Sequence, residues 1–387
     1  PLLVLLVGTG IYLTIRLGLL QIIRLPKAFK LIFAEDKGEG DISSFAALAT
    51  ALAATIGTGN IVGVATAIKT GGPGALFWMW IAAFFGMATK YAEGLLAIKF
   101  RTLDDQGNVS GGPMYYITHG FSGKWQIIAK PLAYFFAFAG VLVAWLGIGT
   151  FSQVNSITAS LQNSFDWSPK IVSVILALIT AAVIIVGIQS ISKVSEKVVP
   201  FMAGLYIIAA LIVIFANFNQ LLPVLEMVFQ SAFTGKAAVG GFAGATVMAA
   251  MRLGIARGVF SNESGLGSAP IAAAAAKTEE PVEQGLISMT GTFIDTIIIC
   301  TLTGLAILVT GQWSGSLEGA PMTQAAFSSI FGTFGELALT LSLVLFAFTT
   351  VLGWSYYGER CFEFIFKSTK FLSFYRLIFV AMEIGRA

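Results

Sequence analysis

Apolar residues fall along this chain in long blocks separated by short polar joints: 1 to 23, 43 to 68, 75 to 99, 131 to 161, 171 to 190, 198 to 216, 222 to 256, 284 to 311, 334 to 358, and onward from 371. Most are long enough to cross roughly 30 Å of hydrocarbon as a helix. Backbone groups in lipid must be bonded within the protein, so the repetition predicts an all-α polytopic bundle. Two blocks are interrupted. ATIGTGNIVGVAT, residues 54 to 66, places Gly57, Gly59, Gly63, Thr55, Thr58 and Asn60 inside an apolar run. The block at 222 to 256 contains GKAAVGGFAGATV, with Gly240, Gly241 and Gly244 followed by Thr246.

Composition agrees with the pattern. The 387 residues are 56% hydrophobic and 11% charged, and the mean hydropathy is +0.84, far above a soluble domain of this length. A net charge of +3 gives no reason to expect a nucleic-acid partner; its distribution is more informative. With alternate joints assigned to opposite faces, nineteen Lys and Arg lie on one side and only Lys69, Lys170 and Lys236 on the other. That asymmetry makes the first side cytoplasmic and places the start of the chain outside a cell membrane. Cys300 and Cys361 sit in or at the end of apolar helices, which argues against a disulfide framework, and neither has a metal partner nearby. The one histidine, His119, reads as structural or solvated. No paired carboxylates, nucleophile triad or metal cluster points to an enzyme or to an organic cofactor. The chain starts at Pro1 and stops inside an apolar run, so it is expected to be a fragment whose last helices are missing.

A helix interrupted in lipid exposes amides and carbonyls that must face an enclosed, hydrated or ligand-filled cavity. Glycines lower the cost of leaving helical geometry, while Thr55, Thr58 and Asn60 supply polar groups beside the freed backbone. The N-terminus of a half-helix attracts a carboxylate, and carbonyls ending the preceding half suit a small cation. Close helix packing through small residues is the competing explanation. The second interruption discriminates between them. Counting 43 to 68 as the first helix, the sixth is the interrupted block at 222 to 256, and the two run in opposite directions. A five-helix inverted repeat with discontinuous first and sixth helices is the LeuT-type transporter architecture. The expected organisation is an extra N-terminal transmembrane helix at 1 to 23, a cytoplasmic linker at 24 to 42, a first repeat at 43 to 216 and an incomplete second repeat at 222 to 387.

Several blocks carry a more specific resemblance. GGPGALFWMWIAAFFG (Gly71 to Gly86), GTGNIVGVATAI (Gly57 to Ile68), RGVFSNESGLGSAP (Arg257 to Pro270) and FIDTIIICTLTG (Phe293 to Gly304) resemble the alanine or glycine:cation symporter family over nearly the whole chain. The resemblance implies sodium-coupled, in some members proton-coupled, uptake of alanine, glycine or a similar small neutral amino acid. It also implies one substrate site and one principal sodium site. The opening motif resembles the GxGN element of related sodium-coupled transporters, which implies that Thr58 and Gly59 offer amides to the substrate carboxylate. Asn60 then serves the substrate, an ion or the shape of the break.

Other groups complete the expected site. Thr349 and Thr350 lie mid-way along the eighth helix and, with backbone oxygens of Ala53, Ile56 and Phe346, form a candidate Na+ site; threonines bonding back to their own helix are the alternative. Trp354, one turn on, walls a pocket for a small side chain or simply packs. Phe151 and Gln153 on the third helix line the cavity, unless Gln153 only joins helices. Gly241, Phe242, Gly244 and Thr246 of the sixth helix close the substrate site. Asp295, ionisable within a span, either couples ion and substrate or pairs with Arg252 or Arg257. Lys90 and Glu93 read as a partly wet pair near a helix end. The polar stretch Ser261 to Gln284 is an interfacial helix, a plug of the inner mouth or a structured loop. The combined expectation is a monomer in membrane lipid that moves Na+ and alanine together by alternating access. A proton-coupled carrier, or a sensor or channel on the same fold, is the alternative.

Overall fold

The computed structural model describes residues 2–36, 38–234 and 247–385. Helices follow in the order α1 (Leu2–Arg16), α2 (Leu20–Ile23), α3 (Leu25–Ile32), α4 (Ser44–Thr55), α5 (Val64–Gly71), α6 (Gly74–Lys99), α7 (Pro113–Gly120), α8 (Gln126–Leu146), α9 (Phe151–Phe165) and α10 (Pro169–Ile184). They continue with α11 (Ile188–Ala216), α12 (Phe218–Thr234), α13 (Val247–Asn262), α14 (Ala269–Ala273), α15 (Pro281–Thr292), α16 (Thr301–Val309), α17 (Gly319–Phe331), α18 (Thr333–Phe366) and α19 (Leu372–Ile384). Among the described residues the only strands are β1 (Thr102–Leu103) and β2 (Val109–Ser110), an antiparallel hairpin pairing Thr102 with Ser110 and Leu103 with Val109. Two stretches have the wider π-helical winding, Gly59–Gly63 and Phe293–Cys300. Among the described residues five helical stretches are long and apolar enough to cross a membrane, six if the bent pair α4 and α5 counts as one span.

The interruption at 54 to 66 is a true break. Ser43 caps α4 by accepting the Ala46 amide at 3.0 Å, and the helix stops at Thr55 because Ile56 turns to an extended conformation. The axis then bends by 51° into Gly59–Gly71. At its far end Gly72, with φ 78°, makes the corner into α6 that an L side chain would strain. The second expected interruption, residues 235–246, lies outside the described residues, as do Gly241, Phe242, Gly244 and Thr246.

Three expectations are revised by the fold. The block at 131 to 161 is two helices, because Gly147 leaves helical geometry and the Thr150 hydroxyl donates to the Trp145 carbonyl at 2.6 Å. The block at 1 to 23 ends its first helix at Arg16, where Gly18 and Leu19 both take left-handed backbone. The expected linker holds α3, which starts at a proline-bearing turn and packs on α15, with the Phe29 and Phe293 rings edge to face at 5.7 Å.

The polar stretch after α13 is a buried, structured segment with one short helix, α14. Ala269 and Ala272 to Ala276 are buried, packed among α4, α6 and α18. The Ala275 carbonyl accepts the amides of Asp41 and Ile42, and the Lys277 amide returns to Ile42. The Arg101 guanidinium donates to the carbonyls of Ala274, Ala276 and Thr278. Asp41, which also accepts the Val109 amide, is held above its ordinary pKa of 3.8 by burial.

α6 runs through the middle of the molecule, packed against α13 and α15. Glycines let its neighbours approach: a Cβ on Gly74 would lie 2.5 Å from the Ala232 nitrogen of α12, and one on Gly254 of α13 would strike the Ala75 carbonyl. Tyr206 sits in the main core between Phe327 and Phe346, at ring distances of 5.6 and 5.3 Å, and its buried hydroxyl meets Thr303 Oγ1 at 2.6 Å.

Candidate functional site

Leaving helical geometry at Ile56 frees specific groups. The Gly57 amide does not return to the Ala53 carbonyl but donates to Asn60 Oδ1 at 2.9 Å, which leaves the Ala53 oxygen without its helical donor. Among the described residues the Thr58 amide has no acceptor. Asn60, fully buried, donates through Nδ2 to Asp295 Oδ1 at 2.8 Å and to the Asp295 carbonyl at 3.1 Å. Asn60 therefore shapes the break: its oxygen caps one half-helix and its amide ties that cap to a second span.

Asp295 is also fully buried, within the π-helical Phe293–Cys300. Besides Asn60 it receives the Ser261 hydroxyl at 2.9 Å and the Thr296 hydroxyl at 2.7 Å. The expected pairing with Arg252 or Arg257 is absent; the Arg257 guanidinium instead lies 5.7 Å from the Phe260 ring centre. Asp295 thus joins the first interrupted span, through Asn60, to the end of α13, through Ser261. Three donors converge on it, so the carboxylate is satisfied without a neighbouring guanidinium.

The threonine pair lies across from the break. Thr350 Oγ1 donates to the Phe346 carbonyl at 3.0 Å and reaches the Ile56 carbonyl at 3.4 Å. Thr349 Oγ1 donates to the same Phe346 oxygen at 3.0 Å and lies 3.6 Å from Met202 Sδ. Both hydroxyls bond back to their own helix, as the alternative required, and Thr350 also bridges to the end of α4. Ala53, Ile56, Phe346, Thr349 and Thr350 are all essentially inaccessible, so neutral oxygens from two spans meet in a dry place.

Gln153 completes this face. It is buried, its Oε1 has no partner, and a Cβ on Gly57 would come within 3.6 Å of that oxygen and 2.5 Å of Thr350 Oγ1. Gly57 is thus the point where α4, α9 and α18 approach. Phe151, half-buried, opens α9 two residues earlier. Trp354 packs where a Cβ on Gly149 would meet its own Cβ at 2.9 Å, and its indole nitrogen donates to Glu263 Oε1 at 3.0 Å.

Three residues near the break escaped the sequence reading. The Phe260 ring and Ser261 Cα lie 3.4 and 3.2 Å from where a Cβ on Gly59 would be, and Glu263 holds Trp354. All three belong to RGVFSNESGLGSAP, a block the sequence reading marked without assigning roles. Lys90 and Glu93 are not a wet pair. Both are buried, with the Lys90 ammonium on the Asn262 carbonyl at 2.8 Å and Glu93 accepting the amides of Gly265 and Gly267 at 3.3 and 3.0 Å. Cys300 and Cys361 are free and buried, and His119 is exposed on α7.

Comparison with known proteins places this arrangement in context. The Eremococcus coleocola manganese transporter, in complex with an aromatic bis-isothiourea compound, aligns over 91% of this chain and 74% of its own with a TM-score of 0.59 and 12% identity, a likeness of fold alone. An uncharacterized transporter of Haemophilus influenzae is 54% identical over 385 residues, covering 99% of this chain and 83% of that protein. The sodium/alanine symporter AgcS of Methanococcus maripaludis is 52% identical over 387 residues, covering 98% and 83%. The pattern of the sodium:alanine symporter family matches residues 1–386. With a broken apolar helix, a transporter fold and matches over nearly its full length, the chain belongs to the sodium:alanine symporter family, a family of multi-pass membrane transporters.

Proposed function

We propose that the chain is a secondary active transporter of LeuT-type architecture that couples sodium entry to uptake of a small neutral amino acid, alanine, glycine or serine, by alternating access. The observation that carries this reading is the break between Thr55 and Gly59, with an unpaired Thr58 amide on one side and the Thr350 hydroxyl against the Ile56 carbonyl on the other. In this reading the amides of Thr58 and Gly59 receive the substrate carboxylate, as half-helix N-termini do. Gln153, with its unpartnered oxygen, and Phe151 border the substrate, Asn60 holds the break in shape beside it, and Trp354 closes the side-chain end. Gly241, Phe242, Gly244 and Thr246 are proposed for the opposite wall.

Sodium in this reading takes oxygens from Ala53, Ile56, Phe346, Thr349 and Thr350. Neutral carbonyl and hydroxyl oxygens are the donors a hard monovalent cation requires. Ion and substrate share the same break, so each strengthens the other's binding by the same factor. Asp295 couples the broken first span to α13 through its bonds to Asn60 and Ser261. A single chain in a cell membrane suffices, with its N-terminal end outside.

The test is alanine uptake into liposomes at fixed pH, with sodium replaced by choline. Sodium-driven, saturable uptake that Thr350→Ala abolishes supports the reading. Uptake indifferent to the sodium gradient overturns the coupling and favours a proton-driven carrier.

A further inference from the structure

Next to the candidate site lies a cavity of about 290 Å³, bordered by Val143, Ile148, Phe260, Glu263, Trp354 and Tyr357. Phe260 and Trp354 belong both to this cavity and to the surroundings of the break, since Phe260 faces Gly59 and Trp354 follows Thr350 by one turn. The volume is about ten times a water's share of liquid. It would admit a side chain much larger than a methyl group. Something must therefore keep it apart from the substrate position if only small amino acids are carried.

The indole of Trp354 stands at that place, and its orientation is fixed from the cavity side. Nε1 donates to Glu263 Oε1 at 3.0 Å, Ser268 Oγ donates to Glu263 Oε2, and the Tyr357 ring meets the indole edge to face at 5.6 Å. Glu263 is 1% exposed and otherwise surrounded by apolar lining. A carboxylate is costly in such a place unless it is bonded. Its backbone is left-handed, φ 56°, and ends α13, with the Glu263 amide still donating to the Val259 carbonyl. The helix end thus fixes the Glu263 backbone, and Ser268 fixes the carboxylate that holds the indole nitrogen.

We propose that Glu263 is a positioning residue: it latches the Trp354 indole as the wall between the substrate position and this cavity, and thereby restricts the substrate to a small side chain. The proposal rests on the reading of the break as the substrate site. Removing the latch lets the indole rotate and opens the cavity to longer side chains.

The test compares wild type, Glu263→Ala, Glu263→Gln and Trp354→Phe in liposomes, measuring uptake of alanine and glutamine. Loss of one charge-assisted hydrogen bond corresponds to about a tenfold change. Glu263→Ala and Trp354→Phe should raise the glutamine-to-alanine ratio of kcat/KM about tenfold, whereas Glu263→Gln, which still offers an oxygen to the indole, should keep the wild-type ratio. A ratio unchanged in both Glu263→Ala and Trp354→Phe, with rates falling in parallel, overturns the latch. A second readout does not depend on transport. Cys361 borders the same cavity, so in a Cys300→Ser background its labelling by a small thiol reagent should be about tenfold faster with Glu263→Ala or Trp354→Phe than without. Equal labelling rates overturn the latch, and absence of alanine uptake by wild type overturns the substrate reading instead.

Discussion

Gly57→Ala is the smallest change that tests the break. The added methyl carbon would lie 2.5 Å from Thr350 Oγ1, well inside the 3.4 Å at which ordinary contact begins, with Thr350 Cβ at 3.5 Å and Gln153 Oε1 at 3.6 Å behind it. Thr350 is β-branched and fully packed, so its hydroxyl can yield only by giving up its bonds to Ile56 and Phe346. Overpacking by one methyl costs about 1–3 kcal/mol. If that cost falls on the contact between α4 and α18, apparent sodium affinity should drop by about 5-fold to 150-fold. Gly63→Ala is the control within the same motif. Its nearest neighbour, Arg257 Cδ, is 3.9 Å away and its backbone is already helical, so alanine there should be neutral or raise stability by up to about 1 kcal/mol. The assay is the sodium concentration giving half-maximal alanine uptake in liposomes. Equal half-saturation values for the two variants would refute the claim that Gly57 is required by close approach at an ion site.

Two further substitutions probe buried polar groups by thermal unfolding. Asp295→Ala takes the carboxylate acceptor from the Ser261 and Thr296 hydroxyls and leaves the Asn60 amide the backbone carbonyl of residue 295, at about 1–3 kcal/mol for each hydrogen left unpaired; it should lower the melting temperature, and adding Asn60→Ala should cost less than the sum of the two changes. Strict additivity would show that the two side chains do not act together. Arg360 pairs with Glu363 at 2.7 Å, Glu359 at 3.2 Å and Asp104 at 3.4 Å, almost wholly out of solvent. Arg360→Ala should therefore cost about 3–5 kcal/mol, and Arg360→Lys should recover only part, since one ammonium cannot form the fork. A lysine variant that melts with wild type would refute the fork.

The spans and the break were legible because each depends on local pattern: a long apolar run needs only its own composition, and Gly57, Gly59 and Gly63 announce a weak helix wherever it packs. Thr349 and Thr350 were legible as a polar pair in an apolar helix. The division of α8 from α9 was not, since Gly147 and Gly149 interrupt hydrophobicity no more than glycines that stay helical, such as Gly86 in α6. The partners of Asp295 were misjudged for a different reason. Arg252 and Arg257 are near in sequence, whereas Asn60, 235 residues away, becomes a neighbour only when the two π-helical stretches meet. Lys90 and Glu93 looked like a wet terminus because the sequence does not reveal that the polar stretch after α13 folds back and supplies a carbonyl and two amides.

The meeting of those π-helical stretches bears on how a broken helix is held together. Each adds a residue to a turn and shifts the side chains that follow out of α-helical register, a device often found at functional sites. Here the shifted positions are Asn60 and Asp295, which bond each other. The chain of bonds runs from the Gly57 amide to Asn60, from Asn60 to Asp295, and from the Ser261 hydroxyl of α13 back to Asp295. A motion that separates α13 from α4 must break one of the last two bonds, whereas a motion carrying α4 and α13 together breaks neither. α18 meets the same break by close packing, with Gly353 against Ala54 and Thr350 against Gly57, and by one polar contact, the 3.4 Å approach of Thr350 to the Ile56 carbonyl. A cation bridging those same two oxygens would add a polar link to a junction otherwise made mainly by packing. Such a cation would shift the balance between conformations only by its difference in affinity for the states in which these two oxygens do and do not meet.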